Sequence, residues 1–187
     1  MAERNTASWN AMICGLAVHG HAEEAFRLFQ EMQKAKIAPN YVTFVGVLSA
    51  CCHAGLLEVG KEIFLSMKRV YGIEPGIEHY GCMVNLLGRG GKLAEAEELI
   101  NGMLCEPDIV VLGALLGACK DHGNIKVAEK VVKKMLHMEP QNHGVYVLLS
   151  NMYAGAGSWA DVLRLREEMK DGGVKKIPGW SLVNGNK

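Results

Sequence analysis

His137-Met138-Glu139 has the His-x-Glu spacing with which zinc deaminases pair a metal ligand and an acid–base carboxylate, a pair that Pro-Cys-x-x-Cys then completes. Here Cys119 is the last cysteine, so the second half of such a zinc site is missing and the triplet is not expected to be catalytic. The six cysteines, Cys14, Cys51, Cys52, Cys82, Cys105 and Cys119, contain no Cys-x-x-Cys spacing. They read as small, buried, reduced residues, and without a secretory signal they do not suggest a disulfide framework. The seven histidines share no metal-ligand spacing. Lys126, Lys130, Lys133 and Lys134 fall at i, i+4, i+7 and i+8, one face of a helix. Such a row can meet phosphates, but Glu129 interrupts it, and a solvated face is the plainer reading. Trp9 and Trp159 read as packing residues rather than as platforms for stacked bases. No nucleophile, metal cluster or phosphate loop is left, so neither a cofactor nor an enzyme is expected.

The elements that carry these residues recur. Gly20, Gly55, Gly91, Gly123 and Gly157 are separated by steps of 35, 36, 32 and 34 residues, and a methionine follows each after twelve: Met32, Met67, Met103, Met135 and Met169. A period in this range marks stacked supersecondary units. Before each glycine lies an apolar stripe of helical period, as in Trp9, Met12, Ile13 and Leu16, and after it a second, as in Ala25, Leu28, Phe29 and Met32. Pro39, Pro75, Pro107 and Pro140 stop the pattern near the unit ends, and Asn or Asp there supplies N-caps. The third unit is the short one, and Met103 extends the stripe of its second helix from Ala96, Leu99 and Ile100.

The fold predicted is all-α, an α-solenoid of helix-turn-helix repeats with boundaries 6–40, 41–76, 77–108, 109–142 and 143–181 and a tail, 182–187. One hairpin is too small to bury its own apolar face, so neighbours must share a core. Five units fill nearly all 187 residues and leave no room for a separate catalytic domain. No apolar run is long enough to cross a bilayer, and no membrane partner is expected. Met1-Ala2-Glu3-Arg4-Asn5 does not resemble a targeting peptide and reads as the end of a preceding unit, as in a truncated chain. Acidic and basic residues balance at 20 each, which counts against a free-standing nucleic-acid binder.

Ser8-Trp9-Asn10-Ala11-Met12-Ile13, then Glu24-Ala25 and Leu28-Phe29-Gln30-Glu31-Met32, resembles a pentatricopeptide repeat. Val42 to Cys51 with His53-Ala54-Gly55 resembles the long repeat variant of plant organellar proteins, and Glu78-His79-Tyr80 through Leu86-Leu87-Gly88-Arg89 the short one. Gly113 to Cys119 with His122-Gly123-Asn124 is similar to the first C-terminal extension (E) motif. Tyr146 to Ala154 and Gly173 to Gly179 are similar to the second. Leu112 stands where the first motif has tryptophan, a change expected to loosen local packing, and the Trp-Ile-Glu continuation after Ser181 is missing. The chain thus resembles the C-terminal portion of a PLS-class protein with E motifs and no DYW deaminase domain.

The resemblance implies a mitochondrial or chloroplast protein that binds single-stranded organellar RNA, about one base per repeat. Bases would be chosen by a residue early in the first helix together with the last residue of the repeat. In the first unit these are Asn10 and Asn40, a pair the family associates with pyrimidines. Gly81 with Asp108 would be a weaker reader; Val45 with Gly76 and Gly113 with Asn142 lack side-chain hydrogen bonds at the first place. Lys175 and Lys176 are candidate phosphate contacts. The implied role is that of a cytidine-to-uridine editing specificity factor. Its partners would be accessory editing factors and a deaminase-bearing pentatricopeptide repeat protein acting in trans. The balanced charge and poor readers keep open an alternative, a protein-interaction scaffold without RNA affinity of its own.

Overall fold

The computed structural model describes residues 5–174. Lys175, Lys176, Trp180 and the rest of the tail lie outside the described residues. The helices are α1 (Thr6–Val18), α2 (Ala22–Lys34), α3 (Tyr41–Ala54), α4 (Leu57–Tyr71), α5 (Ile77–Arg89), α6 (Leu93–Asn101), α7 (Ile109–Asp121), α8 (Ile125–Met138), α9 (His143–Gly155) and α10 (Trp159–Asp171). The described residues contain no strand. The fold class is therefore all-α, with ten helices in sequence among the described residues.

The hairpins are cut where the sequence supplies stops. All five anchoring glycines have positive φ, +78° at Gly20, +68° at Gly55, +70° at Gly91, +64° at Gly123 and +74° at Gly157. A side chain at those angles is strained, so glycine is the residue that turns each first helix into its second. The proline-containing ends then give way to caps: Asn40 accepts from the Thr43 N–H at 3.2 Å and Asp108 from that of Val111 at 2.8 Å.

The chain divides into two compact bodies, Met1–His122 and Gly123–Lys187. In the first, α1, α3, α5 and α7 pack in succession as one layer. α2, α4 and α6 form a second layer, each against its own partner and against the next first helix. Ile13, Ala25, Met32, Phe44, Leu48, Met67, Leu86 and Leu115 are buried between the layers. Phe44 is met edge-on by Phe29, with ring centroids 5.8 Å apart, and by Tyr71 at 5.0 Å. Small residues set the spacing within the first layer: a Cβ at Gly88 would lie 2.6 Å from that of Ala118, so α5 and α7 approach closely there. Leu112 is fully buried rather than loosely held.

In the second body α9 packs on α8 and α10 on α9. Val127, Ala128, Val131, Val132 and Met135 form the buried stripe of α8, and Val145, Leu149, Met152, Tyr153, Val162 and Leu165 complete this core. The Tyr153 hydroxyl donates to Glu129 Oε1 at 2.6 Å.

Three details differ from the sequence reading. Trp159 is 64% exposed, not packed, because the inward stripe of α10 begins at Val162 and continues at Leu165; Trp159 and Leu163 share a neighbouring outward ridge. α6 ends at Asn101 with Gly102 as its C-cap, so Met103 lies beyond the helix. Cys105, in the link that follows, is exposed, whereas Cys51, Cys52 and Cys119 are buried.

Candidate nucleic-acid interface

The last residue of each repeat also serves the fold, since it stands at the N-cap of the next first helix. Asn40 caps α3, Gly76 α5, Asp108 α7 and Asn142 α9. Asn10, fifth in the first repeat and one turn into α1, faces the cap of α3 beside it.

At the first repeat the two places meet. Asn10 Nδ2 donates to Asn40 Oδ1 at 2.9 Å. The Thr43 hydroxyl donates to Asn10 Oδ1 at 2.6 Å and also lies 3.2 Å from Asn40 Oδ1. Asn40 Oδ1 accepts from the Thr43 N–H as the cap, and the Asn40 N–H donates to Thr43 Oγ1 at 3.0 Å, closing a capping box. Asn10 is only 7% exposed, while Asn40 is exposed. Both amide oxygens are therefore engaged inside the protein, and what the pair offers outward is N–H donors.

The other positions differ. Asp108 is occupied by its cap bond, and Gly81 has no side chain to meet it; a Cβ at Gly81 would touch only Val111 Cγ2, at 3.8 Å. At Gly113 a Cβ would meet nothing within 4 Å. Asn142 caps α9 through Val145 N–H at 3.3 Å and donates to Glu139 Oε2 at 2.8 Å. That second bond ties up the glutamate of the His-x-Glu triplet at the end of α8. The four lysines of α8 all lie on its exposed side. Lys175 and Lys176 lie outside the described residues.

Two residues that complete these junctions were not singled out in the sequence. Thr43, third in its repeat, was legible as the far end of an Asn-x-x-Thr capping box. His79 holds the same third place one repeat later, where Gly76 has no side chain with which to cap. Its ring is fully buried; Nδ1 accepts from the Gly76 N–H at 3.1 Å and Nε2–H donates to the Tyr41 carbonyl at 3.0 Å. The Tyr41 ring stands edge-on at 4.2 Å, and its hydroxyl donates to Glu78. Burial holds the His79 imidazole below its ordinary pKa, against the opposing pull of these hydrogen bonds and of Glu78. Burial, then the Glu78 bond, pushes Tyr41 up to about 12.

Comparison with known proteins agrees with this architecture. Family profiles described as PPR repeat family and PPR repeat match residues 4–53 and residues 42–70 and 78–106, and one described as E motif matches 122–184. A mitochondrial pentatricopeptide repeat-containing protein of Arabidopsis thaliana is 50% identical over 187 residues, 100% of this chain and 30% of the relative. A putative chloroplastic one from the same plant is 49% identical over 183 residues, 98% of this chain and 34% of the relative. The chain thus spans about a third of the length of these relatives. The solved structure of the pentatricopeptide repeat protein PPR10 with an 18-nt psaJ RNA element superposes with a TM-score of 0.82 at 19% identity, covering 93% of this chain and 26% of that one. The PPR domain of Arabidopsis thaliana protein-only RNase P 1, in complex with tRNA, gives 0.68 at 19% identity, covering 82% of each chain. At such identities the structural likeness is one of fold. Repeat profiles along the first body, an E motif after it and identity near one half throughout carry the same conclusion: the chain belongs to the pentatricopeptide repeat family.

Proposed function

We propose that this chain binds single-stranded RNA, with Asn10 and Asn40 reading one base, and that it forms part of an organellar cytidine-to-uridine editing specificity factor. The observation that carries the reading is the hydrogen-bonded Asn10–Asn40 pair, held in place by Thr43 with its N–H groups left to face a ligand. Donors suit the carbonyl oxygens of uracil and cytosine. The RNA in the PPR10 and RNase P 1 complexes supports the ligand class, and the E motif supports the editing role. Gly81 and Asp108 form a second, weaker position in this scheme, and Lys175 and Lys176 are phosphate contacts. Accessory editing factors and a deaminase supplied in trans are the protein partners proposed. The mitochondrial and chloroplastic relatives support a location in one of those organelles.

The test is a titration of the purified chain with short pyrimidine-rich and purine-rich RNAs at low and moderate salt, repeated with Asn10→Ala. The expected result is a pyrimidine preference that weakens roughly tenfold in the variant, about 1–2 kcal/mol for the lost hydrogen bonding. A melting curve establishes that the variant is folded. Absence of binding at low salt refutes RNA recognition by this chain and favours the protein scaffold that its balanced charge suggests.

A further inference from the structure

Cys52 on α3 and Cys82 on α5 face each other across neighbouring helices of the first layer. The Cys52 thiol donates to the Cys82 carbonyl oxygen at 2.8 Å, which sets its sulfur against residue 82 of the neighbouring helix. Arg89 Nη1 donates to the Cys52 carbonyl at 2.8 Å and holds that turn of α3 from the α5 side. Cys52 is buried, whereas Cys82 is only half-buried and is the more accessible of the two residues to a small oxidant. Cys51, next in the chain, is fully buried.

We propose that Cys52 and Cys82 form an oxidisable dithiol, which a peroxide converts to a disulfide tying α3 to α5. The two sulfurs have different parts. Cys52 is buried with its proton held on the Cys82 carbonyl, and Cys82 is the more exposed of the two. Cys82 is therefore the sulfur that attacks. Its thiolate bonds to one peroxide oxygen, the O–O bond breaks, and the departing hydroxide takes a proton and leaves as water. The sulfenic acid so formed is attacked by the Cys52 sulfur, which gives up its proton; the S–O bond breaks and the hydroxyl leaves as a second water. Two thiols lose two electrons and two protons to one hydrogen peroxide. Closing the bond requires the two side chains to rotate toward each other across the contact that already joins Cys52 Sγ to the Cys82 backbone.

The experiment treats the purified chain with hydrogen peroxide, alkylates the remaining thiols and maps the peptides by mass spectrometry, with melting followed in parallel. The expected result is a peptide pair joined through Cys52 and Cys82, loss of two alkylatable thiols per chain, and reversal by dithiothreitol. The oxidised protein should melt about 5–10 °C higher, as expected for cross-linking a loop of this length. Cys52→Ser retains a donor for the Cys82 carbonyl but should form no link and should carry Cys82 on to sulfinic acid. Cys51→Ser should leave the link intact. Oxidation of Cys82 in the wild-type chain without a link to Cys52, or a link that uses Cys51 instead, overturns the proposal.

Discussion

Replacing His79 by alanine tests the junction between the second and third repeats. The imidazole is fully buried, accepts one backbone hydrogen bond, donates another and lies edge-on to Tyr41. Removing it leaves a cavity of ring size in the first layer, about 3 kcal/mol by analogy with other buried large-to-small changes. It also strands the Gly76 N–H and the Tyr41 carbonyl, about 1 kcal/mol for each bond lost. The variant should therefore lose about 3–5 kcal/mol in urea denaturation at pH 8. The pH dependence gives a sharper reading. Both bonds need the neutral ring, with Nδ1 bare and Nε2 protonated. Because the folded pKa is depressed, the native state binds fewer protons than the unfolded chain at mildly acid pH, and stability rises with pH. The contribution is whole above the unfolded value near 6.5 and falls as the pH drops below it, by up to about 1.4 kcal/mol per pH unit. Between pH 7.5 and 5.5 the wild type should lose about 1 kcal/mol more than His79→Ala, with a ceiling of about 1.4 kcal/mol if the ring stays neutral throughout, since the other histidines titrate alike in both. Parallel pH profiles, or a loss under 1 kcal/mol at pH 8, would refute the assignment of His79 as a buried neutral cap.

Thr43→Val keeps the shape of the side chain but removes the hydroxyl that serves Asn10 and the Asn40 N–H; a loss of about 1–2 kcal/mol in denaturant melts is expected, with the same fold by circular dichroism. Gly88→Ala and Gly117→Ala should act in opposite directions, though both lie in first-layer helices. At Gly88 the new methyl meets Ala118 and must push α5 from α7, which destabilises by about 1–3 kcal/mol. At Gly117 it meets nothing within 4 Å, so the gain in helix propensity should stabilise by about 0.5–1 kcal/mol, read as a rise in melting temperature.

The fold was legible because its signals are local and repeated. Left-handed glycines, proline stops and stripes such as Trp9–Met12–Ile13–Leu16 each depend on a few adjacent residues. What failed depended on which of two adjoining faces turns inward. Trp159 and Val162 are a single helical turn apart, and periodicity alone did not say that the stripe begins with the second. Met103 kept its place in the repeat while Gly102 ended the helix before it. Of the candidate site, Asn10 and Asn40 were visible through resemblance. The bond from Thr43 to Asn10 was not, because it joins one repeat to the next. Cys52 and Cys82 are hidden for the same reason: thirty residues of sequence separate them, and only the register of α3 on α5 brings them together.

The N-cap position of the closing residue limits the alphabet available to it. A residue there must satisfy the first free N–H groups of a helix as well as face any ligand, and only Asn, Asp, Ser, Thr and Gly do so at little cost. Exchanging Asn40 or Asp108 for a large apolar, aromatic or basic side chain would weaken the next helix by about 0.5–2 kcal/mol before any ligand was present. Substitution at these positions without loss of stability is thus a matter of choosing among a few short polar letters. The fifth residue is free of capping, but where it is the buried Asn10 it answers to Asn40 and Thr43 instead.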